Sequence, residues 1–342
     1  MKKNFLFVAL TAITSMTMLS ACFDSDSPDN QASPTSADPT QVTPQPVAET
    51  PVGVDSVATD SAANLPDPAT QDPVQGDTGT TVPPVTSDSL PPTVETTGCA
   101  EGVVPVPVTY PQDEFIDVGD VYKATQCNEK VVFIVRHAER ESGIGSESPL
   151  TEDGVIAAQE MGEKLIGPER FAYVHSGFVR TCQTTLNVAL GRGDAQMQPD
   201  STVLNFQADT IPQLADGWFM KDKERRDFYA ERDSIRNINV MYTKWVYDGE
   251  YSDVFYDLAE RSEELIHTYL VKDYAQMPKF TVVASHDQVI MPLAAYVTDK
   301  KIDIILHKTY KWLDYLAGVG IIVNDKNEIR YVAVKGGETG TR

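Results

Sequence analysis

The sequence predicts an α/β fold: a three-layer α/β/α sandwich with a mostly parallel central sheet. Three observations carry this. Residues 131–135, VVFIV, and 280–284, FTVVA, are apolar runs without alternation, as in strands buried on both faces. Segments of helical period follow the candidate strands. The strand ends carry Arg, His and Asp, which a core would not take up unpaired.

The first strand covers 130–135. SPLTEDGVIAAQEMGEKLIG then predicts a helix, with Thr151 as its cap and Glu152 and Asp153 complementing its dipole. Val155, Ala158, Gly162 and Leu165 share one face of it. FAYVHSG (171–177) is a short strand leading into the helix FVRTCQTTLNVAL. KDKERRDFYAERDSIRN reads as a solvated charged helix in an inserted segment, and Arg225 and Arg226 take that reading. Val254, Leu258, Leu265 and Tyr269 predict a helix over 253–271. KFTVVASHD (279–287) is a further buried strand, and QVIMPLAAYV is helical despite Pro292. GVGIIVNDKNEIRYVAV closes the fold as a C-terminal hairpin turning at Asn324–Asn327.

The domain occupies only 98–342. Residues 1–21 read as a leader: Lys2 and Lys3 precede an apolar stretch too short to span a bilayer. Leu19-Ser20-Ala21-Cys22 resembles a bacterial lipobox, which makes Cys22 the lipidated first residue of the mature chain. Acyl chains there would anchor the protein without a spanning helix. Residues 22–97 read as a disordered tether, because 23–97 hold 13 prolines and 12 acids but no Lys or Arg. The chain's formal charge is −22, and the part left after leader and tether carries 26 bases and 38 acids. An acidic domain is a poor general binder of nucleic acid, so an anionic substrate needs a local cluster of cations. Cys99 and Cys127 are candidates for a disulfide. Cys182 is expected as a buried lone thiol. No Cys or His spacing marks a metal site, and no cofactor is expected.

Arg136, His137 and Arg140 end the first strand, Arg180 opens the helix after the second, and His286 and Asp287 end the third. Ligands of open α/β sheets bind at the carboxyl ends of the strands. Three arginines and two histidines there suit a phosphate dianion, whose oxygens match guanidinium forks. A neutral His137 between arginines is a candidate nucleophile, with a carboxylic acid to protonate the leaving oxygen.

Arg136-His137-Ala138-Glu139-Arg140 resembles the Arg-His-Gly signature of the histidine phosphatase superfamily. SPLTEDGVIAAQEMGEKL, YVHSGFVRTCQTT and VVASHD resemble, in order, that family's first helix, its third phosphate-binding arginine and its second catalytic histidine. The resemblance covers about 128–323 and implies a phosphoglycerate mutase-like fold. It implies His137 as nucleophile, and Arg136, Arg140, Arg180 and His286 as phosphate ligands. Two departures stand out: Ala138 replaces the usual glycine, and Ser142 stands where the acid branch has proline. His286-Asp287 follows the acid-phosphatase branch, whereas QLADGWF offers Asp216 in the middle loop, as in the mutase-like branch. Asp287 is favoured as proton donor over Asp216, with Glu139 behind both. His175 reads as structural or at the pocket rim, and no role is assigned to His267 or His307.

The expected function is metal-independent hydrolysis of a phosphorylated small molecule or glycan, by a protein lipid-anchored outside the cytoplasm. Phe23 after Cys22 favours the outer membrane by resemblance to lipoprotein sorting. The rivals are a phosphomutase and a catalytically silent lipoprotein that binds a phosphorylated ligand.

Overall fold

The computed structural model describes residues 98–342, Ile144 excepted. The leader, the tether and Cys22 lie outside the described residues. In chain order the strands are β1 (Ile116–Asp117), β2 (Glu129–Arg136), β3 (Phe171–His175), β4 (Gln196–Met197), β5 (Val203–Leu204), β6 (Asp209–Thr210), β7 (Phe280–Ser285), β8 (Ala317–Asn324) and β9 (Ile329–Lys335). The helices are α1 (Val118–Ala124), α2 (Glu152–Glu163), α3 (Val179–Arg192), α4 (Lys223–Arg232), α5 (Ile238–Asp248), α6 (Leu258–Glu264), α7 (Asp287–Val297) and the single turn α8 (Leu306–Thr309).

Seven strands form one sheet in the order β1-β9-β8-β2-β7-β3-β6. β2, β7, β3 and β6 run parallel, and only β8 opposes them, pairing antiparallel with β2 and β9. Two hydrophobic clusters cover the two faces. Val131, Phe133 and Val135 pack to one side with Ala158, Met161 and Leu186 of α2 and α3. Val132 and Ile134 pack to the other with α5, α7 and the inserted segment. Alternate β2 side chains thus enter different cores, which is why the strand reads as a continuous apolar run.

Local signals account for the helix starts. Thr151 Oγ1 accepts from Gly154 N at 3.0 Å, capping α2. Asp257 caps α6 by accepting from Ala259 N and Glu260 N. The expected helix from 253 therefore begins at Leu258, and Val254 and Phe255 are buried as loop residues of the core. Their apolar spacing imitates a helical face because both fill one core, not because both lie on one helix. α6 runs on into a π-helical turn, Leu265–Leu270. α4 buries no residue, in keeping with its charge. The hairpin turns where Asn324 Oδ1 accepts from Lys326 N and Glu328 N. The two-residue strands β1, β4, β5 and β6 carry no periodic signal.

Cys99 and Cys127 are joined in a disulfide. Cys182, expected as a lone thiol, is not one: no free cysteine occurs among the described residues. Its burial on α3 was readable from its neighbours. No helix among the described residues is long and apolar enough to cross a membrane.

Candidate active site

Strand register builds the site. Arg136 of β2 pairs with Ser285 of β7, and His175 of β3 pairs with Ala284. The next residues therefore emerge together at the carboxyl edge: His137 and His286, with Ser176 beside them. His137 N donates to Ser285 O at 2.9 Å, and the two imidazole centroids are 5.5 Å apart. Ala138 N donates to Thr184 Oγ1 at 3.0 Å, and its φ is not positive, so the alanine at the usual glycine position is unstrained. Gly154 lets α2 approach the loop after the nucleophile: a Cβ there would stand 2.1 Å from Glu139 O.

His137 is 4% exposed. Its Nδ1 lies 2.8 Å from Ala138 O. A carbonyl only accepts, so Nδ1 carries the proton and Nε2 keeps its lone pair. Burial, then His286, Arg136 and Arg180, hold its pKa well below the ordinary histidine value. The ring is thus neutral and its free nitrogen is nucleophilic.

His286 has both nitrogens engaged. Arg180 Nη2 donates to Nδ1 at 3.1 Å, so the proton sits on Nε2, which donates to Ser176 Oγ at 2.8 Å. Thr181 Oγ1 gives its own proton to Phe178 O, so Ser176 donates to Thr181 Oγ1 at 2.9 Å. This chain fixes Arg180 from behind. Burial, then the positive charges of Arg180, Arg136 and Arg140, lower its pKa well below the ordinary value.

Arg136 and Arg180 are both buried. Arg136 Nη1 donates to Leu313 O at 2.7 Å, and Arg180 Nη1 to Gly145 O at 3.0 Å. The Nε–H of each is buried and makes no hydrogen bond. An unpaired buried donor costs about 1–3 kcal/mol, more when charged, so the site is short of acceptor oxygens. Phosphoryl oxygens are acceptors. Arg140 is half-buried, donates to Glu141 O at 2.9 Å, and adds positive charge at His286.

The three candidate acids differ in kind. Asp287 Oδ2 lies 3.1 Å from Arg136 Nη2 and accepts from Trp312 Nε1 at 2.8 Å. Burial alone would raise its pKa, but Arg136 and then Trp312 outweigh it and hold the carboxyl below the usual range. Asp216 stands at the mouth, its side chain 41% exposed, 3.6 Å from Arg180 and 3.7 Å from His286 Nδ1. Burial of its carboxyl by the surrounding site, then the charge of Asp287, raises it to about 7, against the pull of Arg180 and Arg136. Solvent contact at this half-open side chain opposes that rise. Glu139 is exposed and turned toward Thr151. The pKa of Asp216 is thus shifted upward, and that of Asp287 downward.

The loop bearing Asp216 is clamped on both sides. Ser285 Oγ donates to Leu214 O at 2.6 Å. Arg261 Nε donates to Trp218 O at 3.0 Å, Trp218 Nε1 returns a bond to Arg261 O at 3.2 Å, and the guanidinium stacks 3.5 Å from the indole. Sequence reasoning missed Arg261, Trp312, Ser176 and Tyr315; only the Asp-Leu-Ala-Glu cap at 257–260 hinted where α6, and so Arg261, begins.

The remaining candidates are elsewhere. His175 ends β3, accepting from Gly177 N at 3.0 Å. His267 pairs with Glu263, and His307 with Asp248 and Thr243. Arg225 bonds Asp253 on the exposed face of α4. A cavity of about 560 Å³ between α4 and α5 pairs Arg232 with Asp233 and Lys244 with Glu250, and Arg236 also lines it. Among the described residues no group of three or more His, Cys, Asp or Glu is placed to hold a metal ion.

The sequence model described as histidine phosphatase superfamily (branch 1) matches residues 132–332. No curated protein matches the sequence. Among solved structures the chain is similar to phosphoglycerate mutase from Bacillus anthracis str. Sterne, at 14% identity over 61% of this chain and 94% of that one, with a TM-score of 0.41. It is also similar to the alpha-ribazole phosphatase from Shigella flexneri, at 18% identity over 60% and 97%, TM-score 0.36. A mycobacterial glucosyl-3-phosphoglycerate phosphatase shares 15% identity over 62% and 99%, TM-score 0.35.

Proposed function

The chain belongs to the histidine phosphatase superfamily, and on that premise we propose that it hydrolyses phosphomonoesters through a phosphohistidine formed on His137. The observation that carries this reading is the neutral, buried His137 with Nε2 free, beside two buried arginine Nε–H groups that lack acceptors.

Nε2 of His137 attacks phosphorus, forming the N–P bond as the P–O bond to the leaving group breaks. Protonated Asp216 gives its proton to the departing oxygen. Arg136, Arg180 and Arg140 balance charge on the equatorial oxygens, with His286 holding Arg180 in place. The Asp216 carboxylate then takes a proton from water, which attacks phosphorus, breaks the N–P bond and frees phosphate. Asp287 keeps Arg136 oriented and stays ionised. No step calls for a metal or cofactor.

We place this activity outside the cytoplasm, on a lipid anchor at Cys22. The leader and lipobox support that, and so does the Cys99–Cys127 disulfide, since such bonds persist in oxidising compartments. The substrate is a phosphorylated small molecule or glycan.

Phosphate release from an aryl phosphate, in chelator, tests the activity with wild type and His137→Ala side by side. Release by the wild type alone is expected. Equal release by a folded His137→Ala enzyme would refute the role of His137.

A further inference from the structure

Beyond His137 the pocket has a wall built from loop residues. The ring of Tyr315 lies 5.8 Å from that of His137, and the Arg136 guanidinium lies 4.3 Å from the Tyr315 centroid. A second guanidinium, that of Arg342, lies 4.3 Å from the same centroid. The two cations are therefore separated by no more than twice that distance. Arg136 belongs to the phosphate pocket; Arg342 belongs to no site yet described.

Arg342 is held in place through its backbone. Its N–H donates to Trp312 O at 2.9 Å, and Trp312 N donates to its carbonyl at 3.0 Å. Asp314 N donates to Gly340 O at 3.0 Å, Leu313 bridges Thr341, and Thr339 bonds the Asp314 carboxylate. The segment that supports Arg342 is thus stitched to the one that supplies Leu313 O to Arg136 and Trp312 to Asp287.

The side chain is a different matter. Arg342 is exposed, and among the described residues no carboxylate lies within ion-pair distance of it. Stacking on Tyr315 orients the guanidinium and leaves its N–H edge open to an anion.

We infer that Arg342 and Tyr315 form a second anion subsite, so that the substrate is a phosphomonoester with another acidic group, carboxylate or phosphate, a short distance from the scissile phosphate. The inference rests on the phosphatase reading and deepens it. Arg342 here determines specificity: it meets the far end of the substrate and not the reacting atoms.

The test uses phenyl phosphate, 4-carboxyphenyl phosphate and 1,4-phenylene bisphosphate with the wild type, Arg342→Gln and Arg342→Lys. Each substrate is compared with itself across enzymes, so intrinsic reactivity cancels. Arg342→Gln should raise KM for one or both doubly acidic substrates by about tenfold, with kcat little changed and phenyl phosphate unaffected. Whether the carboxylate or the bisphosphate responds identifies the group that is read. Arg342→Lys, which keeps the charge but loses the planar fork, should move KM the same way by less. Turnover of phenyl phosphate with no differential change in KM would overturn the subsite alone. Failure of the wild type on all three would instead remove the phosphatase reading, and the subsite with it.

Discussion

Arg136 Nη2 stands 3.1 Å from Asp287 Oδ2, and this pairing favours the ionised form of Asp287. A carboxylate that also accepts from Trp312 Nε1 gives up its charge only at low pH. In the proposed mechanism the residue that follows the second histidine holds Arg136, and Asp216 donates the proton.

That division predicts opposite behaviour for two conservative variants. Asp216→Asn should slow alkyl phosphates by about 10²–10⁴-fold and activated aryl phosphates far less. Asp287→Asn should raise KM without dependence on the leaving group, because Arg136 loses its partner. With Asp216 raised to about 7, kcat/KM for alkyl phosphates should fall as pH rises through that value. The fall should vanish in Asp216→Asn. Steady-state rates across a leaving-group series and from pH 5 to 9 check both points.

His175 makes a prediction about stability. Burial is the main cause lowering its pKa to about 4, and its Nδ1 must stay unprotonated to accept from Gly177 N. Below pH 6.5 the unfolded chain takes up this proton first, so stability from this group is complete above pH 6.5 and declines toward pH 4. The loss at pH 4 is about 3 kcal/mol. Denaturant unfolding at pH 7 and pH 4 should show a smaller difference in His175→Gln than in the wild type.

Arg261 acts at a distance, through the Trp218 loop. Arg261→Met keeps the apolar contact with the indole but removes the bond to Trp218 O and the charge. Its kcat should fall about tenfold for alkyl phosphates and little for activated aryl esters, a selectivity that general destabilisation would not produce. Arg261→Lys should recover part of the loss.

Gly154→Ala tests the seat of the catalytic loop. A Cβ at that position would stand 2.1 Å from Glu139 O, so α2 or the loop must move. Over-packing of this kind costs about 1–3 kcal/mol. The variant should lose that stability in urea unfolding, and kcat should fall with it.

The sheet centre was readable because β2 and β7 are buried on both faces, which writes an uninterrupted apolar run into the sequence. His137 and His286 were readable because each directly follows such a strand, and Arg180 because it opens the helix after β3. The choice between Asp216 and Asp287 was not, since it turns on Trp312, Arg136 and Arg180, which are distant in sequence from one or both acids. Tyr315 and Arg342 were equally hidden. They sit in irregular chain, where no period marks which side chains face the pocket, and they meet through backbone pairing of 312–314 with 340–342. The start of α6 was misplaced because buried loop residues, Val254 and Phe255, continue the apolar spacing of the helix.

The most direct measurement is rapid quenching into alkali of enzyme mixed with an aryl phosphate carrying labelled phosphorus. Asp216→Asn should be used beside the wild type, because loss of the base slows hydrolysis of the intermediate more than its formation from a good leaving group. The account predicts protein-bound label that is stable in alkali, labile in acid, greater in Asp216→Asn and absent in His137→Ala. Label that persists in His137→Ala, or turnover retained by that variant, would contradict the central claim.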